Sequence, residues 1–228
     1  FPDGYILEGD YSQLEFRVAG FLAGDKRVYA DVREGTDVHS YTASIIGCTR
    51  QEAKAHTFKP LYGGTTGTED QKRYYNDFKD KYMGIAIWHE TLQQDAVKYR
   101  EISLPSGRVY AFPDARWTKY GTATHRTAIC NYPVQGFATA DLLPIALVAL
   151  EKAVRDANIR SVICNTVHDS IVMDVHPDEK NICIDLMKHA MLSLPFETVR
   201  RYGIAYNMPV GIEIKAGKNW LDLHDVEL

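Results

Sequence analysis

The chain has 228 residues, enough for one large domain or two small ones, and its 45% of apolar residues is typical of a soluble globular protein. No apolar run approaches a membrane span, no signal-peptide pattern opens the chain, and the four cysteines form no C-x-x-C pair. We therefore expect a cytoplasmic protein with reduced thiols and no membrane partner, which argues against membrane and disulfide-rich secreted proteins.

The net charge of −4 is unevenly distributed along the chain. Between Arg50 and Cys130 there are 13 Lys and Arg residues against 9 Asp and Glu residues, so the middle of the chain is basic and the remainder is acidic. A basic segment can line a groove for DNA while acidic residues elsewhere hold metal ions. Charge therefore leaves a nucleic-acid partner open without deciding for it.

The first predicted element is a buried strand over residues 5–9, which leads directly into Asp10. A helical pattern then runs from Ser12 to a Gly-Asp turn at residues 24–25. An aspartate after a strand can cap the next helix or serve as a metal ligand, and a glutamate in a first helical turn, here Glu15, can simply complement the helix dipole. The residues alone do not choose between these roles.

After a short helix expected at residues 28–32, Asp37 is placed to cap another helix. The next predicted helix, over residues 50–63, carries four side chains at four-residue intervals, which form one stripe along it. They are Arg50, Lys54, Phe58 and Tyr62.

Two cations four residues apart are most often a solvated surface. Here, like charges repel each other at that spacing, and no acidic residue lies on the stripe to relieve them. Two cations followed by two aromatic side chains suit a polyphosphate with a planar base beyond it. Pro60 predicts a kink or an early helix end near Lys59, and two glycines at 63–64 predict a C-cap.

The second half of the chain is predicted as helices around a hairpin and a further strand. Asp169 is expected at the hairpin tip, where an aspartate most often forms the turn, and Tyr132-Pro133 is expected to interrupt a helix. The predicted elements are helices at residues 68–82 and 85–100, a turn and strand at 103–113, a polar connection at 120–128, a long helix at 140–157, the hairpin at 161–175, a helix at 178–192, a strand at 210–214 and a frayed acidic tail at 222–228.

Six ordered segments together resemble the polymerase module of the DNA polymerase I family (family A). They are Asp10-Tyr11-Ser12-Gln13-Leu14-Glu15-Phe16-Arg17, Gly35-x-Asp37-x-His39-x-x-Thr42-Ala43, the stripe from Arg50 to Gly63, Asn131-x-Pro133-x-Gln135-Gly136-x-Ala138-x-x-Asp141, Val167-His168-Asp169, and Gly217-x-Asn219-Trp220. These segments extend over nearly the whole chain, so chance similarity is a poor explanation.

The resemblance implies an α+β fold of the right-hand polymerase type, with an antiparallel palm sheet and a helical fingers subdomain. The implied division is a palm strand with the first catalytic motif at residues 1–12, fingers at 13–121, and palm with the second catalytic aspartate and a C-terminal strand at 122–228. The implied function is template-directed DNA synthesis, in which the primer 3′-hydroxyl attacks the α-phosphate of a dNTP and pyrophosphate leaves.

The resemblance also implies residue roles. Asp10 and Asp169 would be catalytic and would hold two Mg²⁺ ions, or Mn²⁺ in their place, in keeping with the preference of hard cations for oxygen ligands. The dNTP would be bound by Glu15 as a filter against ribose, with His39, Arg50, Lys54, Phe58 and Tyr62. The primer–template would be contacted by Asn131, Gln135 and His168.

This chain departs from the family pattern at several positions. Ser170 stands where the family has a glutamate, which removes a third carboxylate, and Thr57, Lys59 and Pro60 replace an Asn-Gly-Leu run in the finger helix. Arg126 lies five residues before Asn131, one residue further than the family arginine. The runs at 57–64 and 168–170 are more similar to phage members than to bacterial ones.

The thumb, the first palm strands and any exonuclease domain would precede the first motif in the family. We therefore expect that part of the sheet around residues 5–9 comes from sequence outside this chain, and that a second polypeptide supplies the thumb and the remaining palm. Two alternatives stay open: a non-catalytic DNA-binding remnant, favoured by Ser170, and a metal-dependent nuclease, since paired aspartates also serve phosphodiester hydrolysis. Retention of Glu15, Arg50, Lys54 and Phe58 disfavours both, because neither needs a dNTP site.

Overall fold

The structure is a computed structural model that describes residues 1–226. It confirms the α+β class, with ten α-helices in the described residues and seven strands that pair antiparallel. The helices are α1 (Leu14–Ala23), α2 (Lys26–Arg33), α3 (Val38–Ile46), α4 (Arg50–Leu61), α5 (Glu69–Lys81), α6 (Met83–Tyr99), α7 (Arg126–Gln135), α8 (Leu143–Asp156), α9 (Lys180–Leu192) and α10 (Leu194–Tyr202). The strands are β1 (Tyr5–Tyr11), β2 (Glu101–Ser103), β3 (Val109–Ala111), β4 (Val162–Val167), β5 (Ser170–Val175), β6 (Ile212–Gly217) and β7 (His224–Asp225).

The chain divides into two compact units. The sheet unit consists of Phe1–Leu14 together with the chain from Ala138 onward, and the helical unit consists of Glu15–Phe137. Residues 122–137, with α7, therefore cluster with the helical unit. A π-helix at Gly136–Leu142 continues α7 into α8.

The sheet unit is built on a five-stranded antiparallel sheet of order β4-β5-β1-β6-β7. β1 is paired along both edges, with β5 on one side and β6 on the other. The expectation that the neighbours of β1 belong partly to sequence outside this chain is therefore wrong. Both rows of β1 backbone groups are satisfied by strands that lie more than 150 residues later in the chain.

The two faces of β1 differ in chemistry because successive side chains point to opposite faces. Leu7, Gly9 and Tyr11 face α9, and the Tyr11 hydroxyl donates to the Met191 carbonyl oxygen at 2.9 Å. A Cβ on Gly9 would lie 2.5 Å from the Met187 sulfur and 2.6 Å from the Met191 sulfur, so a larger residue there would displace methionine side chains of α9. The opposite face carries acidic residues and forms part of the site described below.

The helical unit is held together by a buried chain of three hydroxyls. Thr57 Oγ1 of α4 lies 2.7 Å from Thr42 Oγ1 of α3, which lies 2.7 Å from the Tyr74 hydroxyl of α5. Thr57 replaces the asparagine that the family pattern predicts, and its hydroxyl also donates to the Ala53 carbonyl oxygen at 2.9 Å. These contacts fix three helices against one another and leave no unsatisfied hydroxyl among the three.

A buried carboxylate forms a second polar centre in the helical unit. Asp31 of α2 accepts a hydrogen bond of 2.8 Å from the Tyr82 hydroxyl and pairs with Arg27 and Lys81, each at 2.7 Å. The Lys81 ammonium also lies 3.9 Å from the centre of the Tyr41 ring. Such a carboxylate is tolerated in the interior because its charge is paired and hydrogen-bonded.

Two prolines have less effect than the sequence predicts. α4 continues through Pro60 to Leu61 rather than ending near Lys59, because the amides of Tyr62 and Gly64 still donate to the carbonyls of Phe58 and Lys59. Pro133 lies inside α7 and does not interrupt it, since a proline removes only its own backbone donor.

The predicted frayed tail is also partly wrong, because His224–Asp225 pairs with β6 as β7, while residues 227–228 lie outside the described part of the chain. The continuous helical run Arg126–Asp156 is long and apolar enough to cross a membrane by composition. Within its apolar window 61% is buried inside the protein, as in a core helix, so this run is weak evidence for a membrane segment.

Candidate active site

The structure brings Asp10 and Asp169 together in the sheet unit. Strands β4 and β5 form the predicted hairpin, and His168 at its turn adopts a φ of 55°. The amide of Tyr11 donates to the Asp169 carbonyl oxygen at 3.4 Å, which brings the hairpin tip beside the end of β1. Asp10 lies directly opposite Ser170 on one neighbouring strand and Glu213 on the other.

The strand register places several carboxylates on one face of the sheet. Residues directly opposite each other in an antiparallel pair share a face, so Asp10, Glu8 and Glu213 lie on the same side. Sequence reasoning missed Glu8 and Glu213 as neighbours of the aspartate pair. The alternation of β6, in which Glu213 lies between Ile212 and Ile214, indicates that Glu213 faces away from the core, but the sequence does not show that β6 pairs with β1.

Burial and charge both disfavour ionisation at this site. The pKa of Asp10 is raised from 3.8 to about 7, first by burial and then by the nearby carboxylates of Asp169, Glu213 and Glu8, while Lys215 opposes the shift. Burial also raises the pKa of Asp169. A bound cation would relieve the repulsion among these groups and favour their ionised forms.

The donor set fits a hard divalent cation. Asp10 and Asp169 offer carboxylate oxygens, the ligands that Mg²⁺ and Mn²⁺ prefer. Ser170 is 1% exposed and its Oγ has no hydrogen-bond partner in the structure. Within residues 1–226 no group of three or more His, Cys, Asp and Glu side chains is arranged to hold a metal ion. The chain would therefore supply two carboxylates and leave the other coordination positions to water or substrate oxygens.

A second group of predicted site residues converges in the helical unit. The rings of Phe58 and Tyr62 stack with their centres 6.0 Å apart at an angle of 10°, as expected for neighbours on one stripe. The His39 ring meets Phe58 edge-on at 5.4 Å. Glu15 joins them because the Tyr62 hydroxyl donates to its carboxylate. The stripe on α4 therefore contacts both α1 and α3.

His39 lies at the junction of these residues. It is 5% exposed, and its Nδ1 has no hydrogen-bond partner in the structure. Its pKa is lowered by burial and also by the cations of Arg50 and Lys54, while Asp37 acts in the opposite direction. A neutral imidazole whose unsatisfied buried nitrogen carries the proton, in the field of the Arg50 and Lys54 cations, can donate to an anion.

The stripe itself carries no acidic residue, but it has an acidic neighbour on another helix. The Asp37 side chain, at the N-cap of α3, accepts a hydrogen bond from Arg50 Nε and also accepts from the His39 amide at 3.0 Å. Although burial raises it, hydrogen bonds from Arg50, Ser40 and the His39 amide hold the pKa of Asp37 at about 2. The acid that balances Arg50 comes from another helix, which the helical periodicity of residues 50–63 does not reveal.

The predicted DNA-contacting residues lie in both units. Asn131 and Gln135 are one helical turn apart on α7, and the Asn131 Oδ1 is buried with no hydrogen-bond partner. Gln135 is exposed, and His168 is exposed at the hairpin turn of the sheet unit. An amide pair at this spacing presents donors and acceptors along one side of the helix.

The family model described as "DNA polymerase family A" matches residues 2–222. The chain belongs to DNA polymerase family A.

Similar proteins include DNA polymerase I of Lactococcus lactis subsp. lactis, at 29% identity over 96% of this chain and 26% of the relative, and DNA polymerase I of Pseudomonas aeruginosa, at 27% identity over 98% and 26%. The chain thus spans about a quarter of the length of these curated relatives. Among solved structures, the "POL domain of Pol1 from M. smegmatis complex with DNA primer-template and dNTP" matches with a TM-score of 0.77 at 23% identity, over 95% of this chain and 40% of that one. At this identity the likeness establishes the fold, which is that of a polymerase domain.

The Asp37–Arg50 pair gives this family A chain a specific pH dependence. Asp37→Asn keeps an N-cap side chain but removes the negative charge. Because the folded pKa of Asp37 is about 2 and the ordinary value is 3.8, the carboxylate stabilises the fold above pH 4 and loses this contribution as the pH falls toward 2. We expect the substitution to lower the free energy of unfolding at pH 7 by less than about 1 kcal/mol, because the pair is solvent-screened.

Urea denaturation of the wild type and of Asp37→Asn at pH 7 and pH 3 measures the difference in their free energies of unfolding. It should shrink at the lower pH. Equal differences at both pH values would contradict the assignment. Ser44→Ala on α3 is a matched control, because its exposed hydroxyl contacts only a carbonyl of its own helix.

Proposed function

We propose that this chain carries out template-directed DNA synthesis as part of a family A DNA polymerase. The observation that carries the proposal is the pairing of Asp10 and Asp169 in a chain that also holds His39, Arg50 and Lys54 together on the helical unit. The first group is suited to catalysis at a phosphate ester, and the second to binding a triphosphate. Because the chain spans about a quarter of the length of its relatives, the activity of the whole enzyme is part of this proposal for the chain.

In this proposal Asp10 and Asp169 hold the divalent cations of the reaction. Two bound Mg²⁺ ions would lower the pKa of the primer 3′-hydroxyl and stabilise the negative charge that develops on the transferred phosphate and on pyrophosphate. The protein contributes by keeping both carboxylates at one end of β1. Their raised pKa values express the cost of holding this charge before a cation binds.

The incoming nucleotide would be held by the helical unit. Arg50 and Lys54 would contact its phosphates, and His39 would add a hydrogen bond from its buried ring. Binding would require Arg50 to share or leave its contact with Asp37. Phe58 offers a ring face to the base and sugar, and Tyr62 stacks beside it.

Glu15 is proposed to exclude ribonucleotides. The hydrogen bond from the Tyr62 hydroxyl limits the positions that the Glu15 carboxylate can adopt. A fixed carboxylate against the sugar would collide with a ribose 2′-hydroxyl, whereas deoxyribose leaves that space empty. Such steric exclusion needs a rigid side chain, which this hydrogen bond supplies.

Asn131, Gln135 and His168 are proposed to contact the primer–template. Amide side chains can bond the minor-groove acceptors that all base pairs present in similar positions. Contacts of this kind test the shape of a base pair without reading its identity. The side-chain NH₂ groups of Asn131 and Gln135 would donate to these acceptors, while the unsatisfied Asn131 Oδ1 could accept only from a donor such as the guanine 2-amino group.

The two alternatives explain fewer of these contacts. A nuclease would use the aspartate pair but would need neither the aromatic pair on α4 nor the Tyr62–Glu15 hydrogen bond. A non-catalytic remnant would have no reason to keep the half-buried carboxylates of Asp10 and Asp169 close together, because they repel each other. The polymerase proposal uses both groups of residues.

Removing either aspartate should abolish synthesis. Asp10→Asn and Asp169→Asn keep the side-chain volume but lose the charge that holds the cations. We expect each to lower the rate of primer extension with dNTPs and Mg²⁺ by about 10³-fold or more, which corresponds to roughly 4 kcal/mol. Asp225→Asn on the edge strand β7 is the matched control and should extend normally.

Gel-resolved primer extension distinguishes the three functions. Shortened primers without dNTPs would indicate a nuclease. Normal extension by both aspartate variants would overturn the catalytic assignment.

The proposed sugar filter predicts a change of specificity. Glu15→Ala should raise the ratio of kcat/KM for rNTPs to that for dNTPs by at least about tenfold, because space opens beside the sugar. Tyr62→Phe should raise the same ratio by a smaller factor, since it frees the glutamate without removing it. Single-nucleotide incorporation with each substrate measures the ratio, and an unchanged ratio for Glu15→Ala would show that the carboxylate does not face the sugar.

We further propose that this chain works with a second polypeptide that supplies the thumb and the remaining palm. Supporting this, five of the six residues of the edge strand β4 are exposed, so β4 offers unpaired backbone groups to another strand. Size-exclusion chromatography of the chain from its native source should give a complex larger than 25.8 kDa that contains this partner. A monomer that extends primers alone would refute this.

A further inference from the structure

The segment between β3 and α7 forms a small rigid hairpin, which we call the aromatic hairpin and define as residues 115–124. Its two arms are joined by an antiparallel bridge between Trp117 and Ala123, and the amide of Thr118 donates to the Thr122 carbonyl oxygen at 2.8 Å. Gly121 closes the turn with a φ of 74°. These contacts restrict the conformations that the tip can adopt.

The base of the aromatic hairpin is anchored in the core of the helical unit. Ala115 and Ala123 are buried in a cluster with Leu92 and Ile129. The amide of Ala123 also donates a hydrogen bond of 3.1 Å to the buried Gln93 Oε1, which holds this arm against α6. Packing thus fixes where the exposed side chains of the tip lie.

The exposed tip combines aromatic rings and cations. Trp117 is 48% exposed and Tyr120 is 79% exposed, although burial of such rings would be favourable. Lys119 lies with its ammonium 5.0 Å from the centre of the Tyr120 ring. Within the described residues, no ion pair involves Arg116 or Lys119. The cations on the tip are therefore available for an anionic ligand.

Aromatic faces beside unpaired cations suit single-stranded nucleic acid. Bases stack on exposed rings while Lys and Arg contact the phosphates, and neither interaction requires a particular sequence. A protein partner could also use exposed aromatic residues. The charge of the tip favours nucleic acid over a protein partner, because Arg116 and Lys119 concentrate positive charge there although the whole chain has a net charge of −4.

Tyr132 of α7 adds a further exposed ring near the base of the hairpin, where it is 47% exposed and packs on the buried Phe112. A cavity of about 220 Å³ at the base of the hairpin is lined by residues that include Phe112, His125 and Tyr132. The rings of Phe112 and Tyr132 are stacked with their centres 6.1 Å apart. Tyr132 follows Asn131, which is proposed above to contact DNA. A strand bound on the hairpin could thus continue along one helical unit to α7.

We propose that the aromatic hairpin binds single-stranded DNA, with bases stacked on Trp117 and Tyr120 and phosphates held by Arg116 and Lys119. Its identification as a site for the unpaired template strand rests on the proposed function. Stacking on a fixed platform would hold the template extended before its bases are copied.

Oligonucleotide binding tests this proposal. Anisotropy of a fluorescein-labelled oligothymidylate of about 16 nucleotides is measured with the chain and any polypeptide that co-purifies with it, without dNTP or Mg²⁺. The combined Trp117→Ala and Tyr120→Ala substitutions should weaken binding by about 25-fold or more, since each ring removed costs at least about fivefold. The combined Trp117→Phe and Tyr120→Phe substitutions keep stacking rings and should bind within about threefold of the wild type.

Tyr99→Ala is the matched control for loss of an exposed ring. Tyr99 is 57% exposed in the same unit, and Lys98 lies with its ammonium 4.6 Å from its ring centre, but Tyr99 ends α6 and lies outside the aromatic hairpin. Its substitution should leave oligothymidylate affinity within about twofold. An equal loss in Tyr99→Ala and in the double alanine variant would overturn the proposal, as would unchanged binding in the latter.

Salt dependence provides a second readout that does not depend on the alanine variants folding. Lys119→Gln should make the slope of log affinity against log salt shallower by about 0.7, the value for one phosphate contact on a single strand. An unchanged slope would overturn the role of the cation.

The experiment also separates this proposal from the proposed function. Asp10→Asn should lose synthesis yet bind oligothymidylate like the wild type. A wild-type chain that makes no DNA but shows hairpin-dependent binding would refute the polymerase proposal and leave this site standing. DNA synthesis by a chain whose oligothymidylate binding does not depend on the aromatic hairpin would refute this site and leave the polymerase proposal standing.

Discussion

The two-sided pairing of β1 is the constraint on which the sheet unit depends. β1 joins strands from the far end of the chain, and its register with β5 and β6 places Asp10 opposite Ser170 and Glu213. A slip by one residue would turn Asp10 toward α9 and expose Leu7 and Tyr11 on the other face. The buried hydroxyl of Tyr11 and the close approach of Gly9 to Met187 both oppose such a slip. The apolar face of β1 thus fixes the position of its acidic face, which carries Asp10.

The helical unit positions its residues by a different means, through buried polar groups between helices. The Thr57–Thr42–Tyr74 chain holds α4 against α3 and α5, and therefore holds the stripe that starts at Arg50. Asp31, at a distance from the stripe, ties α2 to the end of α5 through Lys81. Apolar packing alone tolerates small helix shifts, whereas a buried donor that loses its acceptor costs about 1–3 kcal/mol. Polar contacts therefore give this unit the specific helix arrangement that the proposed nucleotide site requires.

The parts of the fold that local chemistry determines could be predicted from the sequence. Asp37 as an N-cap, the four-residue stripe on α4 and the hairpin turn at Asp169 depend on residues close together in the chain. The contact of Asp37 with Arg50 and the position of Glu213 beside Asp10 depend on tertiary packing, and no local pattern contains them. The helices at Pro60 and Pro133 depend on tertiary packing in the same way. Packing against the rest of the helical unit keeps α4 and α7 each helical across its proline, although an isolated helix would not tolerate the free-energy cost of the lost backbone hydrogen bond.

Ser170 illustrates how charge limits what such a site can contain. The family pattern has a glutamate there, but Ser170 is almost completely buried and lies opposite Asp10. Glu8 and Glu213 already join the aspartates in raising the pKa of Asp10 to about 7. Another carboxylate at position 170 would add a buried like charge to this group and make folding without a cation more costly. Serine removes that repulsion while keeping a small oxygen at the position. A metal ion held here would consequently gain fewer protein ligands, and its binding would depend more on the oxygens of the substrate.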